Sequence, residues 1–435
     1  MKEAKNLGEL KKNGQPVLTV REEMRKNLVH YLETATRILP GIVGYDDTVI
    51  PDIENAILSG HHMVFLGERG QAKSRIIRGL VSLLDERIPI VQGCEISDNP
   101  CAPICRSCRR RLEKEGDALP VEWIGREQRY GEKLATPDVS IADIIGEIDP
   151  IKVAEGRYLA DEETIHYGLI PRTNRGIFAI NELPDLTEKV QVGLFNLMEE
   201  KDVQIKGYKI RLPLDVVIVA SANPEDYTSR GRIITPLKDR FDVQIRTHYP
   251  RTIQDELLIM EQEAAPSSQR SKPVQVPQFM KEILGYMTFE ARKSNEINQT
   301  SGVSVRVTIN NYESIISNAE KRSLRLREGE VVPRISDLHS VLASTGGKIE
   351  MEYVGEEKKE DELVEKLLNR AIVKVFDQYF SINSLQKVVD YFNSGWGVEV
   401  SDTMPSQDYL EGIKEIPGLK EAIGSLGTLE SPALM

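Results

Sequence analysis

HMVFLGERGQAKSRIIRGLVSLL, residues 62–84, decides how the rest of the chain is read. An apolar run from Met63 to Leu66 breaks into a glycine-containing loop, which closes on Lys73-Ser74 and opens an apolar-periodic helix. Strand, loop and helix in that order are the context a phosphate-binding loop requires, and GERGQAKS fills the frame G-x-x-x-x-G-K-[ST] except at Ala72. Gly67 and Gly70 let backbone N–H groups curl around a β-phosphate, and Glu68, Arg69, Gln71 and Ala72 complete the cradle. Lys73 reaches the β- and γ-phosphates, Ser74 can ligate Mg²⁺, and the helix N-terminus adds the positive end of its dipole. The competing reading is an ordinary strand-to-helix turn with a solvated lysine, and Ala72 is the residue that keeps it open.

Composition sets the outer bounds. A chain of 435 residues exceeds one compact core, so two or three domains are expected. The net charge of −12 argues against bulk attraction to nucleic acid or to an anionic membrane surface. No apolar run approaches the roughly 20 residues of a membrane span, and residues 1–14 are charged, without the core of a signal peptide. A cytoplasmic location with no membrane association is the expectation.

Residues 1–60 read as helical, with REEMRKNLVHYLETA, the break LPGIVG and then VIPDIENAIL. From 61 to about 248 short β-rich runs alternate with helical patterns: MVFL, IPIV, GIFAIN, DVVIVA and DVQIRTHY. That alternation predicts an α/β fold, a parallel sheet with helices on both faces. After Pro250 helical segments dominate, and the charged run GEEKKEDE (355–362) reads as a solvated hinge before a small helical C-terminal piece. The apolar positions along 364–380 fit a helical core stripe better than a cofactor box. His61 and His62 precede the first strand, and because adjacent residues in a strand point to opposite faces, metal ligation by both is not expected.

Four further segments bear on the loop. RGIFAINELPDL (175–186) is an apolar strand ending in Asn181-Glu182, and Glu182 is placed to activate an attacking water. DVVIVASANPEDY (215–227) ends in Asn223, whose amide could orient the same water. PLKDRFDVQI (236–245) carries Arg240 between two acids at a helix end, and SGVSVR (301–306) opens a helix with Arg306 in its first turn. Singly, Asn223 reads as a turn residue, Arg240 as a salt-bridge partner and Arg306 as a solvated helix residue. Their order and spacing behind a phosphate loop favour the functional reading instead.

With these segments the chain resembles the AAA+ ATPases, and within them the group of the magnesium-chelatase I subunit and the MoxR proteins. The resemblance covers roughly residues 38–345. PGIVGYDDTV corresponds to the adenine-side segment, with Ile42 and Val43; GERGQAKS has alanine before the lysine, as MoxR-like proteins often do; RGIFAINELPDL corresponds to Walker B. FNLMEEKDVQIKGYKIRLPLDVVIVASANPED covers the hairpin before sensor 1 and sensor 1 itself, PLKDRFD the arginine finger, SGVSVR sensor 2, and 135–176 the insertion in the second helix. The resemblance implies a P-loop αβα sandwich over 38–250, preceded by a helical segment (1–37). A helical lid (251–350) and a charged linker with helical extension (351–435) follow. It also implies ATP and Mg²⁺, and a homo-oligomeric ring, commonly a hexamer. Lys73, Ser74, Glu182, Asn223 and Arg306 act from one subunit in such a ring, and Arg240 reaches the γ-phosphate held by its neighbour. Members of the family often continue with another helix where this chain ends in ESPALM, which leaves a C-terminal truncation open.

One departure stands out. Walker B normally reads Asp-Glu in this family, whereas here it reads Asn181-Glu182. Asparagine offers Mg²⁺ a carbonyl oxygen without charge. Either Ser74 and the phosphates hold the ion and hydrolysis is slowed, or the protein works chiefly as a nucleotide-gated binder. Retained hydrolysis is the favoured expectation, because Glu182, Asn223, Arg240 and Arg306 all remain.

All four cysteines fall in GCEISDNPCAPICRSC, at 94, 101, 105 and 108, directly after the strand IPIVQG. As Cys94, Cys101, Cys105 and Cys108, four thiols in so short a window can close a tetrahedral Zn²⁺ site, with CRSC as its knuckle. Disulfides do not suit a reducing compartment. An iron–sulfur cluster also fits four thiolates, and free thiols remain the third reading.

Three functions remain in view. The first is a MoxR-type ATPase that remodels or activates a partner protein carrying a von Willebrand A domain. The second is a magnesium-chelatase motor subunit serving metal insertion into a porphyrin. The third is a nucleotide-dependent scaffold or DNA-linked regulator; it is disfavoured because the GAFTGA loop and any evident DNA-binding module are missing, so no direct nucleic-acid contact is expected.

Overall fold

The computed structural model describes residues 3–14, 18–149, 164–200, 203–205, 208–210, 212–223, 231–265, 270, 272–352, 357–414, 416–424 and 426. It divides into two compact units, one of residues 1–68 with 72–248, the other of 69–71 with 249–435.

The first unit is built on a five-stranded parallel sheet. The described strands in chain order are β1 (Met63–Leu66), β2 (Arg87–Val91), β3 (Val121–Gly125), β4 (Tyr130–Leu134), β5 (Gly146–Ile148), β6 (Ile165–Tyr167), β7 (Gly176–Asn181), β8 (Val203–Ile205), β9 (Tyr208–Ile210), β10 (Val216–Ala222) and β11 (Val243–Arg246). The sheet runs β11-β1-β10-β7-β4, every pairing parallel. Strands buried on both faces read as continuous apolar runs rather than alternations. GIFAIN and VVIVASA have that character, and β10 is buried at every position.

Membership of the sheet differs from the sequence expectation at one strand. IPIV forms β2, but β2 pairs antiparallel with β3, outside the main sheet. Its place is taken by β4, YGEKL, whose Tyr130–Leu134 lie beside Ile177–Asn181 of β7. β4 is the edge strand and only half-buried, so its sequence lacks the apolar density that marks its neighbours. A buried ion pair secures its approach. Arg129, 1% exposed, makes a two-pronged contact with Glu23 at 2.7 and 2.6 Å and also donates to the carbonyl of Arg175. Glu23 sits on the helix Val20–Glu33, whose start is fixed by a capping box between Thr19 and Glu22.

Side-chain alternation divides the core into two layers. Met63, Phe65, Ala179 and Val219 face one side, packed with Met24 and Leu28, Ile53 and Ile57, and Ile76 and Ile77 of the phosphate-loop helix. Val64, Phe178, Ile180, Ile218 and Ala220 face the other, packed with Val190 and Leu194 of the helix Glu188–Glu200. This is the expected αβα sandwich. In the 135–176 region the described residues include the short helix Ile141–Ile144 and the antiparallel pair β5–β6; the stretch 150–163 lies outside them. β8 and β9 form the hairpin expected near 202–212.

The second unit is helical. Ile253–Glu263, Gln278–Lys293, Arg306–Leu326 and Glu357–Tyr379 enclose a core that includes Met260, Leu284, Met287, Ile315 and Leu367. Glu256, fully buried, is met by Arg292 at 2.9 Å and by the hydroxyl of Thr308. The charged run at 355–362 is not a hinge over its described part, because residues 357–362 begin the 23-residue helix Glu357–Tyr379. Lysine and glutamate are good helix formers, so charge density alone does not mark a break. Further along, Val364, Leu367, Leu368, Ala371 and Val375 are buried, the core stripe expected there. Among the described residues no helix is long and apolar enough to cross a membrane.

Candidate nucleotide site and cysteine cluster

The loop 67–72 leaves β1 and delivers Lys73 as the first residue of the helix Lys73–Gly79. Two positions in it require left-handed backbone: Gly70 at φ +77° and Ala72 at φ +58°. Alanine tolerates that conformation at a cost of roughly 1–2 kcal/mol, so the missing motif glycine has not changed the course of the chain. Lys73 is buried, and its Nζ donates to the carbonyls of Gly67 and Glu68 and, at 2.6 Å, to Asn223 Oδ1. Asn223 Nδ2 then donates to Glu182 Oε2 at 2.6 Å. One amide therefore bridges ammonium and carboxylate, its oxygen towards the cation and its nitrogen towards the anion, which fixes its orientation. Glu182 itself has φ +58°, in the left-handed region, just past the end of β7.

Asn181 ends β7, and its Nδ2 donates at 2.6 Å to Glu132 Oε1 on β4. Ser221 on β10 donates to Asn181 Oδ1 at 3.4 Å. Glu132 is also gripped by Arg78 of the phosphate-loop helix through two 2.9 Å contacts, and Tyr130 donates to it at 3.1 Å. The hydrogen bonds from Arg78, then from Asn181 and Tyr130, hold the Glu132 carboxyl below its usual range despite partial burial. Sequence reasoning misses Glu132, Arg78 and Tyr130. The available signal is Asn181 itself: a missing carboxylate invites a search for one on the adjoining strand, and YGEKL supplies it.

The other expected residues are placed as follows. Ser74 is exposed in the first turn beside Lys73. Ile42 is buried against the layer that includes Ile76 and Ile77, while Val43 is half-buried. Glu68 is half-buried, Arg69 exposed and Gln71 buried. Arg240 is the last residue of the helix Thr235–Arg240, in an ion pair with Glu199 and 5.6 Å from the centre of the Phe195 ring. Arg306 is exposed at the start of the helix Arg306–Leu326. His62 is buried, and its Nδ1 accepts from the Ile218 amide at 2.9 Å, the behaviour of a satisfied core histidine.

The cysteine window is brought together in part. Cys94, Cys105 and Cys108 converge with Asp98, their ligand atoms all within 4.8 Å of one another; Cys101, expected as the fourth thiol, is not in that group. Cys105 caps the helix Arg106–Glu115, its sulfur accepting from the Cys108 amide at 3.3 Å. Hydrogen bonds from Cys105 and Cys108 pull the Cys94 thiol well below its usual range, and hydrogen bonding with Cys108 and Cys94 pushes Cys105 well above it.

Comparison with known proteins agrees with this geometry. The Sigma-54 interaction domain family matches residues 153–243, the span that holds β7, β10 and the Arg240 helix. The magnesium-chelatase subunit ChlI of Nostoc sp. is 28% identical over 217 residues, 48% of this chain and 53% of that protein. The magnesium-chelatase 38 kDa subunit of Rhodobacter capsulatus is 27% identical over 226 residues, 49% of this chain and 56% of its own. The chain thus spans about half the length of the curated relatives it matches. A solved assembly of the magnesium-chelatase subunits BchI and BchD aligns over 75% of this chain and 98% of its own, at 20% identity and a TM-score of 0.37, too distant to bear on function. In its motif set, its sheet order and its sequence matches the chain is similar to the AAA+ proteins of the magnesium-chelatase I subunit and MoxR group.

Proposed function

We propose that the protein is a Mg²⁺-dependent ATPase that works as a ring, a hexamer in the simplest case, and remodels or activates a partner protein carrying a von Willebrand A domain. The observation that carries the ATPase reading is the Lys73–Asn223–Glu182 series at the ends of β1, β10 and β7. It holds a cation for the phosphates and a carboxylate for the attacking water on either side of one amide.

In this reading the loop 67–72 and Lys73 bind the β- and γ-phosphates, and Ile42 and Val43 lie on the adenine side. Glu182 takes a proton from water, and Asn223 keeps that water in line. Ser74 would hold Mg²⁺ through its hydroxyl, with Asn181 as a further candidate through its carbonyl oxygen, and the ion would supply neutralisation of the charge developing on the phosphates. Arg240 acts on the neighbouring subunit's nucleotide, and Arg306 acts on its own. The donor chemistry suits ATP: amides and a buried ammonium for phosphate, a hydroxyl for a hard cation.

The test is steady-state ATP hydrolysis by wild type and by Glu182→Gln. Loss of about a hundredfold or more, with nucleotide binding kept, is expected from removing a general base; equal rates would sink the enzymatic reading. The second reading, a motor subunit for porphyrin metallation, is favoured by the names of the matched relatives, magnesium-chelatase subunits. Capture of partners by the Glu182→Gln protein separates the two by what is retained. Both readings place the protein in the cytoplasm.

A further inference from the structure

The cysteine cluster has a composition that the nucleotide site does not explain. Cys94 follows β2 in a tight turn, with its amide donating to Val91 O at 3.1 Å and its carbonyl accepting from Ser97 at 3.4 Å. Ser97 takes φ +51°, which turns the chain back so that Asp98 follows. Asp98 is fully buried, and its two oxygens accept from the amides of Ile104 and Cys105, each at 2.9 Å. Those bonds hold Cys105 at the start of its helix, and the helix sets Cys108 one turn further on. Cys105 and Cys108 are buried against the layer that also contains Leu7, Leu10 and Ile96.

Three thiols and a buried carboxylate brought within 4.8 Å of one another have the donor types and the spacing of a metal site. We propose that Cys94, Asp98, Cys105 and Cys108 bind one Zn²⁺ ion in a three-sulfur, one-oxygen tetrahedral site, and that Cys101 is not a ligand. The size of the group selects the metal. Zn–S bonds of about 2.3 Å and a Zn–O bond of about 2.0–2.2 Å put tetrahedral donors within roughly 4 Å of one another. A four-iron cluster binds each thiolate to a different iron and holds the sulfurs farther apart, so this packing suits a single ion. Each carboxylate oxygen has a second lone pair, which lets Asp98 keep its amide bonds while ligating. The Cys108 amide pointing at Cys105 Sγ is the outer bond that steadies a coordinating thiolate.

Cys101 is held differently. Its amide donates to Asn99 Oδ1 at 3.0 Å, and burial raises its thiol above the usual range. Its sulfur lies outside the converging group, in a loop that the metal closes.

The site stands apart from the ATPase proposal, and its test does not use activity. Full-length protein purified after growth with zinc is analysed for metal, and its thiols are titrated with a disulfide reagent under native conditions, before and after a strong chelator. One zinc per chain and one accessible thiol are expected, rising to four thiols after chelation. Cys101→Ser should keep the zinc and lose the single accessible thiol. Cys105→Ser should lose the zinc, and cobalt loading of wild type and Cys101→Ser should give the same thiolate charge-transfer band, a comparison that does not depend on the folding of Cys105→Ser. Asp98→Asn should weaken retention against a competing chelator by about tenfold or more. Zinc lost with Cys101→Ser, retention unchanged in Asp98→Asn, a metal-free wild type, or a brown protein with iron and sulfide would each overturn the assignment.

Discussion

Restoring the acidic residue that the family's Walker B motif carries should weaken this protein. In Asn181→Asp, the donor that now meets Glu132 Oε1 at 2.6 Å becomes a second carboxylate. A hydrogen bond to a charged group contributes about 1.5–3 kcal/mol, and that contribution disappears. Two like charges about 4 Å apart at an effective dielectric constant of about 20 add a repulsion of up to about 4 kcal/mol. Arg78 offsets much of it through its two contacts with Glu132, and the Glu132 side chain keeps 23% exposure. A net loss of about 2–4 kcal/mol follows, or about 5–12 °C in Tm for a unit of this size. Adding Glu132→Gln to Asn181→Asp should recover most of it, because a neutral amide at 132 can donate to the introduced carboxylate. The pH dependence gives an independent sign. In Asn181→Asp one carboxyl of the pair has its folded pKa raised above the unfolded value of about 4, so the deficit is absent below that value and grows as pH rises through it. Thermal unfolding of wild type, the single variant and the double variant should show the gap at pH 8 and see it narrow towards pH 4. A single variant as stable as wild type at pH 8, or a double variant no better than the single, would refute the reasoning. The same preparations also report on Mg²⁺: the single variant should gain no activity from its added charge.

Three other outcomes follow from the geometry. Lys73→Ala removes the buried ammonium bonded to Asn223, and titration calorimetry should show ATP affinity reduced by about tenfold or more with folding kept. Glu23→Ala strands Arg129 in the core, and loss of one partner of a buried pair costs about 3–5 kcal/mol, read as a lower denaturant midpoint. If Arg240 acts in trans, Arg240→Ala and Lys73→Ala are each inactive alone, whereas an equal mixture regains activity at about a quarter of the sites; a mixture as inactive as its components would place the arginine in cis.

How far the sequence reveals this site depends on the kind of signal each residue leaves. β7 and β10 are buried on both faces and stand out as apolar runs. β4 leaves no such trace, because an edge strand needs only half of its surface covered, and IPIV, more apolar, reads as a sheet member in its stead. Lys73, Asn223 and Glu182 are found by order along the chain, and the fold joins them through hydrogen bonds that order alone does not specify. Glu132 is hidden for the converse reason. It lies 49 residues before Asn181 in sequence, and only the parallel register of β4 on β7 brings them together. Cysteine spacing suggests four equal ligands, while the fold brings three of the thiols together with Asp98, whose place depends on a turn at Ser97.

The two departures from the family motif are of different physical kinds. Ala72 keeps the backbone path and bears a conformational cost: at φ +58° a side chain is tolerated where glycine would be unstrained. Ala72→Gly should therefore raise stability slightly or leave it unchanged, because relief of about 1–2 kcal/mol is countered by about 0.5–1 kcal/mol of added backbone freedom in the unfolded chain. Asn181 instead moves a charge. Its amide needs an acceptor, Glu132 is that acceptor, and Glu132 needs a cation, which Arg78 provides from the helix that begins at Lys73. Negative charge is thus retained one strand further out, with the Asn181 nitrogen committed to it and the Asn181 oxygen left facing Ser221. An alanine at this position would remove both the donor and that oxygen, so Asn181→Ala should lose hydrolysis more severely than Asn181→Asp. The ratio of those two rates separates a positional role for the residue from an electrostatic one.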